Sequence, residues 1–359
     1  MSVPFFNLNR LNARYRDAYI GALSSVLNGQ SLILGSEVER FERSWAKYCQ
    51  RDHCIGVGNG YDALRLLLQA FEIGPRDRVL VAANTHVATW LAVMAVGATP
   101  VPVDVDEHTF QMDPHKAAAA MTPATRAILV THLYGRAADM PALRKVALNY
   151  GPNEVALLVD AAQAHGIKGA ALGDGAAFSF YPTKNLGALG DAGAVVLDDG
   201  VRATRVRALR NYGKTDTNPC YYFAGSNSRL DELQAAFLNV KLPLLDESNA
   251  RRRAIAREYD AETWGCYPDH PEECVWHQYV LRHAQRDTFR ERLRAAGVQT
   301  LIHYTTLPHL EPVFARYGYK VGDAPVAESL ARRIVSLPIN PALSDNEVAA
   351  VCTAVKRAA

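Results

Sequence analysis

The chain has 359 residues, 49% of them hydrophobic, and its 39 Lys+Arg against 37 Asp+Glu give a formal net charge of +2. The length predicts two lobes, and the balanced charge gives no reason to expect nucleic acid or an anionic membrane as a partner. No run approaches the ~18 apolar residues of a membrane helix, and the first residues lack a secretory pattern, so we expect a cytoplasmic protein.

The cysteines and histidines are dispersed along the chain. None of the six cysteines forms a CxxC pair, which is typical of reduced thiols in a cytoplasmic enzyme. The 11 histidines show neither HExxH nor a paired Cys/His spacing. We therefore expect no structural or catalytic metal.

Between about residues 55 and 200, short apolar runs alternate with segments of helical periodicity. The runs at 78–82, 99–105, 127–134 and 155–161 predict buried strands, and the segments at 85–97, 113–121 and 140–151 predict helices. This alternation predicts an α/β fold with a mostly parallel central sheet covered by helices. Ligands bind beyond the carboxyl ends of such strands. The residues at these positions are Asn84–His86, Tyr134, Asp160–Gln163 and Tyr181–Lys184.

The pattern changes after Asp246. An arginine-rich helix is predicted over 251–264, followed by a strand over 274–282, a helix over 286–297, a strand over 298–304 and a last helix near the end. We interpret the charge run Arg251–Arg253 as a solvated helix face. The sequence thus predicts a large domain over residues 1–245 and a smaller C-terminal α+β domain over 246–359.

The segment "CIGVGNGYDALRLLLQAF" (54–71) predicts a strand, a glycine turn and a helix. The free backbone N–H groups at the start of such a helix favour an anion. A dinucleotide fingerprint would need a third glycine where Tyr61 lies, and no acidic residue follows about 20 residues on. A monophosphate therefore fits better than NAD, while a plain strand–helix turn stays open.

Two residues farther along supply what pyridoxal phosphate needs besides a phosphate site. The cofactor requires a carboxylate at its ring nitrogen and a lysine for covalent attachment. Asp160 ends the run "EVALLVD", where it can cap the next helix or reach into the cleft. Lys184 lies in "SFYPTKNLGALGDAG", where apolar surroundings would lower its pKa and make its amine usable; a solvated loop lysine is the ordinary alternative.

The chain resembles a known family over about residues 35–340. The matching segments include "GVGNGYDALRLLL", "VDAAQAHG", "FSFYPTKNLGALGDAGAVV" and "NSRLDELQAA", in the family's order. They are similar to the DegT/StrS-type nucleotide-sugar aminotransferases, which are fold-type I pyridoxal-phosphate enzymes. The versions "GNGYDAL" and "FSFYPTKNLGALGDAG" are most like the branch that aminates C3 of dTDP-3-keto-6-deoxyhexoses.

The resemblance implies roles for cofactor-binding residues. Lys184 matches the Schiff-base lysine, Asp160 the partner of the pyridine nitrogen, and Gln163 the residue near the ring hydroxyl. Phosphate contacts are implied for Gly60, Tyr61 and Ser179. Without the lysine, Ser179 would be read as a buried core hydroxyl.

Further roles concern stacking, the partner subunit and the substrate. His86 lies where the family usually stacks Tyr, Phe or Trp on the cofactor. Asn227 matches a phosphate contact from the other subunit, which implies a homodimer with shared sites; a cap of the following helix is the alternative. Tyr181, His303 and Tyr304 resemble substrate-contacting residues, although the last two could simply pack the small lobe.

The function implied by the resemblance is amino transfer from L-glutamate to C3 of a dTDP-3-keto-6-deoxyhexose. The product would be a dTDP-3-amino-3,6-dideoxyhexose. A 4-keto substrate is one alternative, and a catalytically idle sensor protein on the same fold is another. The sugar epimer and the nucleotide base stay open.

Overall fold

A seven-stranded sheet forms the centre of the molecule in a computed structural model that describes residues 2–149, 154–215, 218–263 and 274–358. Its strands are β1 (His53–Val57), β2 (Arg78–Ala82), β3 (Thr99–Val103), β4 (Thr125–Thr131), β5 (Ala156–Asp160), β6 (Gly175–Ser179) and β7 (Gly193–Leu197). They lie in the order β1-β7-β6-β5-β4-β2-β3, and β7 runs antiparallel to both its neighbours while the other pairs are parallel.

Helices cover the sheet and build the C-terminal part of the chain. They are α1 (Leu8–Ala13), α2 (Arg16–Leu27), α3 (Ser36–Cys49), α4 (Gly60–Ala70), α5 (Val87–Ala95), α6 (Pro114–Ala120), α7 (Met140–Leu148), α8 (Gly200–Leu209), α9 (Glu232–Lys241), α10 (Leu245–Thr263), α11 (Arg286–Ala295), α12 (Pro325–Arg333) and α13 (Asp345–Ala358). Two small antiparallel sheets pair β8 (Lys214–Thr215) with β9 (Asn218–Tyr221) and β10 (Tyr279–Arg282) with β11 (Ile334–Leu337). In the described part of the chain, no helix combines the length and the apolar character needed to cross a bilayer.

Alternating residues of β5 enter hydrophobic cores on opposite faces of the sheet. Leu157 and Val159 belong to one core and Ala156 and Leu158 to the other, as the two-residue period of a strand requires. The first core continues into the C-terminal segment, where it includes Val335. Packing is therefore continuous across the predicted boundary at residue 245, and that boundary stays a prediction.

The predicted mostly parallel α/β sheet is confirmed, but β4 ends three residues before the predicted limit of 134. Beyond Thr131, side-chain amides replace strand partners. The Leu133 N–H donates to Gln111 Oε1 (3.1 Å) and the Tyr134 N–H to Gln163 Oε1 (2.6 Å). Tyr134 adopts φ 62°, which turns the chain out of the sheet.

Two predictions for the C-terminal segment are wrong. Residues 298–304 form no strand; they make single bridges at Val298, which faces Val3, and at Leu301, which faces Ser336. The backbone of Leu301 bonds that of Ser336 in both directions (2.8 and 3.3 Å), but no neighbouring pair of described residues continues this ladder. Arg252 is not part of a solvated face, since it is 1% exposed and donates to the carbonyl groups of Trp276 (3.1 Å) and Ile339 (2.9 Å). Because the Trp276 carbonyl accepts from the Arg252 side chain, it does not pair with a neighbouring strand. The predicted strand 274–282 is therefore shorter in the structure, where only β10 forms.

Candidate active site

A cavity of about 390 Å³ opens at the carboxyl ends of the parallel strands, where such sheets bind ligands. Most of the residues predicted from the sequence line it: Gly60, Tyr61, His86, Asp160, Gln163, Ser179, Tyr181, Lys184 and Tyr304. The sheet therefore brings together residues that are up to 244 positions apart in the chain (60 to 304). His303 and Asn227 are not among the lining residues.

Asp160 is the last residue of β5 and is buried beneath α5. Its Oδ2 accepts a hydrogen bond from the Thr89 hydroxyl (2.6 Å), and its Oδ1 accepts one from the Ala162 N–H (3.1 Å). Thr85 lies within hydrogen-bond distance of both Thr89 (3.1 Å) and Thr131 (2.9 Å), so three hydroxyls form a chain behind the carboxylate. The helix-cap alternative for Asp160 is wrong, because a turn and no helix follows β5 at Ala162. Asp160 instead faces the cavity, and the threonines behind it were missed from the sequence.

Lys184 lies in the tight turn that follows β6, where its N–H donates to the Tyr181 carbonyl (2.8 Å). Burial lowers the pKa of the Lys184 amine to about 8, although the charge of Asp160 partly opposes this shift. No described residue provides Nζ with a hydrogen-bond acceptor. The side chain thus does not behave as a solvated loop lysine, and its amine is closer to the neutral, nucleophilic form.

The start of α4 has the geometry of a phosphate site. Asn59 caps the helix through its side chain, which accepts from the Asp62 N–H (2.8 Å). Among the described residues, the N–H groups of Gly60 and Tyr61 meet no acceptor, and the Ser179 hydroxyl accepts only a long bond from the Tyr181 N–H (3.4 Å). A Cβ on Gly60 would lie 2.5 Å from the Ser179 Cβ, so only glycine permits this approach. These donors fit a phosphate group.

Gln163 connects the cavity floor to the C-terminal segment. Its Oε1 accepts from the Tyr134 N–H, and its Nε2 donates to the Tyr304 hydroxyl (3.1 Å). The Tyr134 hydroxyl in turn donates to the His303 carbonyl. Burial, with the nearby charge of Asp160, raises the pKa of Tyr304, so this hydroxyl stays protonated at neutral pH.

The His303 ring turns away from the cavity. Its Nδ1 lies 2.7 Å from the Ser336 hydroxyl, and its ring packs 5.8 Å from that of Phe5. Burial, with smaller contributions from Lys184 and His86, lowers the pKa of His303 to about 4. These contacts agree with the packing alternative for His303, whose substrate role stays a prediction, while Tyr304 lines the cavity.

His86 caps α5 and presents its ring to the cavity. Its Nδ1 accepts from the Ala88 N–H (3.2 Å), and its ring meets that of Tyr304 edge-on at 5.2 Å. Burial lowers the pKa of His86, so the imidazole is neutral at physiological pH. The bond to Ala88 leaves the proton on Nε2.

Asn227 lies outside the cavity of its own chain and is exposed. It forms a single bridge with Asn211. The alternative of a helix cap is wrong, because α9 begins at Glu232 and its N-cap is Asp231.

The sequence model of the DegT/DnrJ/EryC1/StrS aminotransferase family matches residues 14–356. The chain belongs to this family. A dTDP-3-amino-3,4,6-trideoxy-alpha-D-glucose transaminase of Streptomyces venezuelae is 44% identical to it over 99% of this chain and 95% of the relative. The erythromycin biosynthesis sensory transduction protein EryC1 of Saccharopolyspora erythraea is 47% identical over 96% of each chain.

A solved structure agrees with this membership. The structure of S. venezuelae DesV in complex with a ketimine intermediate superposes with a TM-score of 0.94, at 43% identity, and covers 99% of this chain and 98% of DesV. Family, fold class and the transaminase class predicted from the sequence are therefore confirmed. The alternative of an NAD-dependent oxidoreductase is not supported, because the family is one of aminotransferases.

Proposed function

We propose that the protein transfers the amino group of L-glutamate to C3 of a dTDP-3-keto-6-deoxyhexose and yields a dTDP-3-amino-3,6-dideoxyhexose. The observation that carries this proposal is the Lys184 amine beside the Asp160 carboxylate and a phosphate-binding helix start in one cavity. Two relatives named dTDP-3-amino-sugar transaminases, at 44% and 43% identity, support the substrate class.

The expected cofactor, pyridoxal 5′-phosphate, follows from the family. A relative of known structure, NtdA from Bacillus subtilis at 29% identity, was solved with bound cofactor PMP. Here the N–H groups of Gly60 and Tyr61 and the Ser179 hydroxyl would hold the phosphate, and Asp160 would face the ring nitrogen. When bound, the cofactor supplies an electron sink for negative charge at the carbon that carries nitrogen.

The chain's own residues then supply orientation and proton transfer. The neutral amine of Lys184 would accept a proton from the carbon that carries the amino group and donate it again within the same cavity. A pKa of about 8 lies near neutral pH, so the amine can serve both as base and as acid. The Thr89 hydroxyl and the Ala162 N–H keep the Asp160 carboxylate oriented. The open side of the cavity, where Tyr181 is exposed, would admit the large nucleotide sugar.

We further propose a cytoplasmic homodimer in which Asn227 reaches the phosphate site of the other subunit. Its exposure and its position outside its own cavity support this arrangement. Large apolar side chains are exposed on and after α2, as expected of a surface that a second copy covers. They are Ile20, Leu23, Leu27 and Leu32.

The experiment is an assay of the purified protein with glutamate and a panel of 3-keto and 4-keto nucleotide sugars. We expect 2-oxoglutarate and an amino sugar with nitrogen on C3, identified by NMR. Nitrogen on C4 would support the sister reaction. Cofactor binding without turnover of any sugar would favour a regulatory protein, the class that the name of EryC1 suggests for that relative.

A further inference from the structure

A buried polar network lies directly behind Lys184. The next residue, Asn185, is 9% exposed, and its Nδ2 donates to Asn249 Oδ1 (2.9 Å) and to the Val275 carbonyl (2.8 Å). Its Oδ1 lies 3.1 Å from His277 Nδ1. Because an amide oxygen can only accept a hydrogen bond, His277 must be the donor in this third bond.

His277 is suited to this single role. Its ring is buried, and burial, followed by the charges of Lys184 and Arg252, holds its pKa well below that of a free imidazole. The ring is therefore neutral at working pH and carries its proton on Nδ1, toward Asn185. A neutral donor in this position orients the amide without adding charge beside Lys184.

The network also reaches the segment that follows Asp160. Asn249, on α10, donates through Nδ2 to the carbonyl of His165 (2.8 Å), five residues after Asp160. The chain segment beyond β5 and the lysine turn beyond β6 are thereby joined through the same two amides. The Lys184 amine has no described acceptor of its own, so its location depends on how this backbone is held.

We propose that Asn185 and His277 form a positioning pair that fixes Lys184 relative to Asp160. The inference depends on the role given to Lys184 under the proposed function. Neither Asn185 nor His277 lines the cavity; the pair acts by holding the backbone from which the amine extends. Displacing a proton-transfer group by about 1 Å can reduce a rate about 100-fold, so loss of the pair should appear in kcat rather than in substrate binding.

The first test compares Asn185→Leu with Tyr259→Phe. Tyr259 is also on α10, and its replacement by phenylalanine removes one buried bond to the Pro338 carbonyl (2.7 Å). No hydrogen bond among the described residues joins the Tyr259 side chain to the lysine turn. For Asn185→Leu we expect full cofactor incorporation, KM values within about twofold of wild type and a kcat lowered about 10- to 100-fold. The visible circular dichroism of the bound cofactor should weaken as well. Tyr259→Phe should lower the thermal midpoint and leave kcat and the dichroism unchanged.

The second test is a rescue at position 277. His277→Asn places an amide N–H near the original Nδ1, whereas His277→Leu removes the donor and leaves a similar cavity. We expect the asparagine variant to retain most of the wild-type kcat and the leucine variant to lose as much as Asn185→Leu. Equal kcat values for His277→Asn and His277→Leu would refute the positioning role of the pair. A wild-type kcat and dichroism in Asn185→Leu would refute it as well.

The position-277 comparison also decides the case if Asn185→Leu fails to fold. Failure of the proposed function is seen separately, by borohydride reduction of the wild-type holoenzyme and peptide mapping. A label on a residue other than Lys184 would refute the proposed function, whatever the variants do.

Discussion

Replacing Lys184 with methionine should stabilise the cofactor-free protein. Burial lowers the pKa of this amine from 10.5 to about 8, so the folded state holds a charged amine that it solvates poorly. At 1.36 kcal/mol per pKa unit, this shift corresponds to a cost of up to about 3 kcal/mol at pH 7. Methionine has a similar length and no charge, so the variant avoids this cost.

The pH dependence gives the sign of the effect. Between about pH 8 and 10.5 the unfolded chain keeps its lysine proton while the folded chain has lost it, so wild-type stability rises with pH in this window. The advantage of Lys184→Met should therefore be largest below pH 8 and shrink toward pH 10.5. Guanidinium unfolding of both proteins, without cofactor and at one protein concentration, measures this difference.

A second buried lysine provides the control. Burial also lowers the pKa of Lys241 to about 8, but its ammonium donates to the Gly187 carbonyl (2.7 Å). Lys241→Met leaves that carbonyl without a donor, which costs about 1–3 kcal/mol and offsets most of the gain. If Lys184→Met is less stable than wild type, or if its advantage is the same at pH 7 and pH 10, the reasoning about the buried amine is refuted.

Two further predictions concern the phosphate site and the subunits. Gly60→Ala should weaken cofactor binding about tenfold or more, measured by fluorescence titration, because the new Cβ would meet Ser179 at 2.5 Å. Gly21→Ala, with open space around its Cβ, should bind the cofactor normally. Equal affinities of the two variants would contradict the phosphate site at the start of α4. Lys184→Ala and Asn227→Asp homodimers should each be inactive, yet a refolded one-to-one mixture should regain about a quarter of wild-type activity, since half the dimers then hold one intact site. No recovery would show that Asn227 does not act across the interface.

The parts of the site that follow from one segment were predictable from the sequence. The strand-end position of Asp160 and the glycine that opens α4 are both local features, set by apolar runs and turn residues. The support of these groups was not predictable. Thr89 occupies a buried helical position in the pattern, but only the folded structure shows that its hydroxyl donates to a carboxylate 71 residues away.

Arg252 was missed for a related reason. A run of three arginines normally lies in solvent, and the sequence does not show that backbone carbonyls from two distant segments need a donor in the interior. Trp276 and Ile339 provide those carbonyls, 24 and 87 positions away. Buried backbone groups find their hydrogen-bond partners anywhere in the folded chain. The neighbours of an arginine in sequence therefore do not predict whether it serves as such a partner.

The turn that carries Lys184 is held from two sides by these long-range bonds. Asn185 is tied to Asn249 on one side, and the Gly187 carbonyl accepts from Lys241 on the other. The backbone on the C-terminal side of the lysine is thus fixed by buried polar groups, whereas its amine alone has no described acceptor. A group that must move a proton between two nearby atoms needs a mobile end on a rigid base. The distribution of hydrogen bonds around this turn provides that combination, at the stability cost that Lys184→Met would measure.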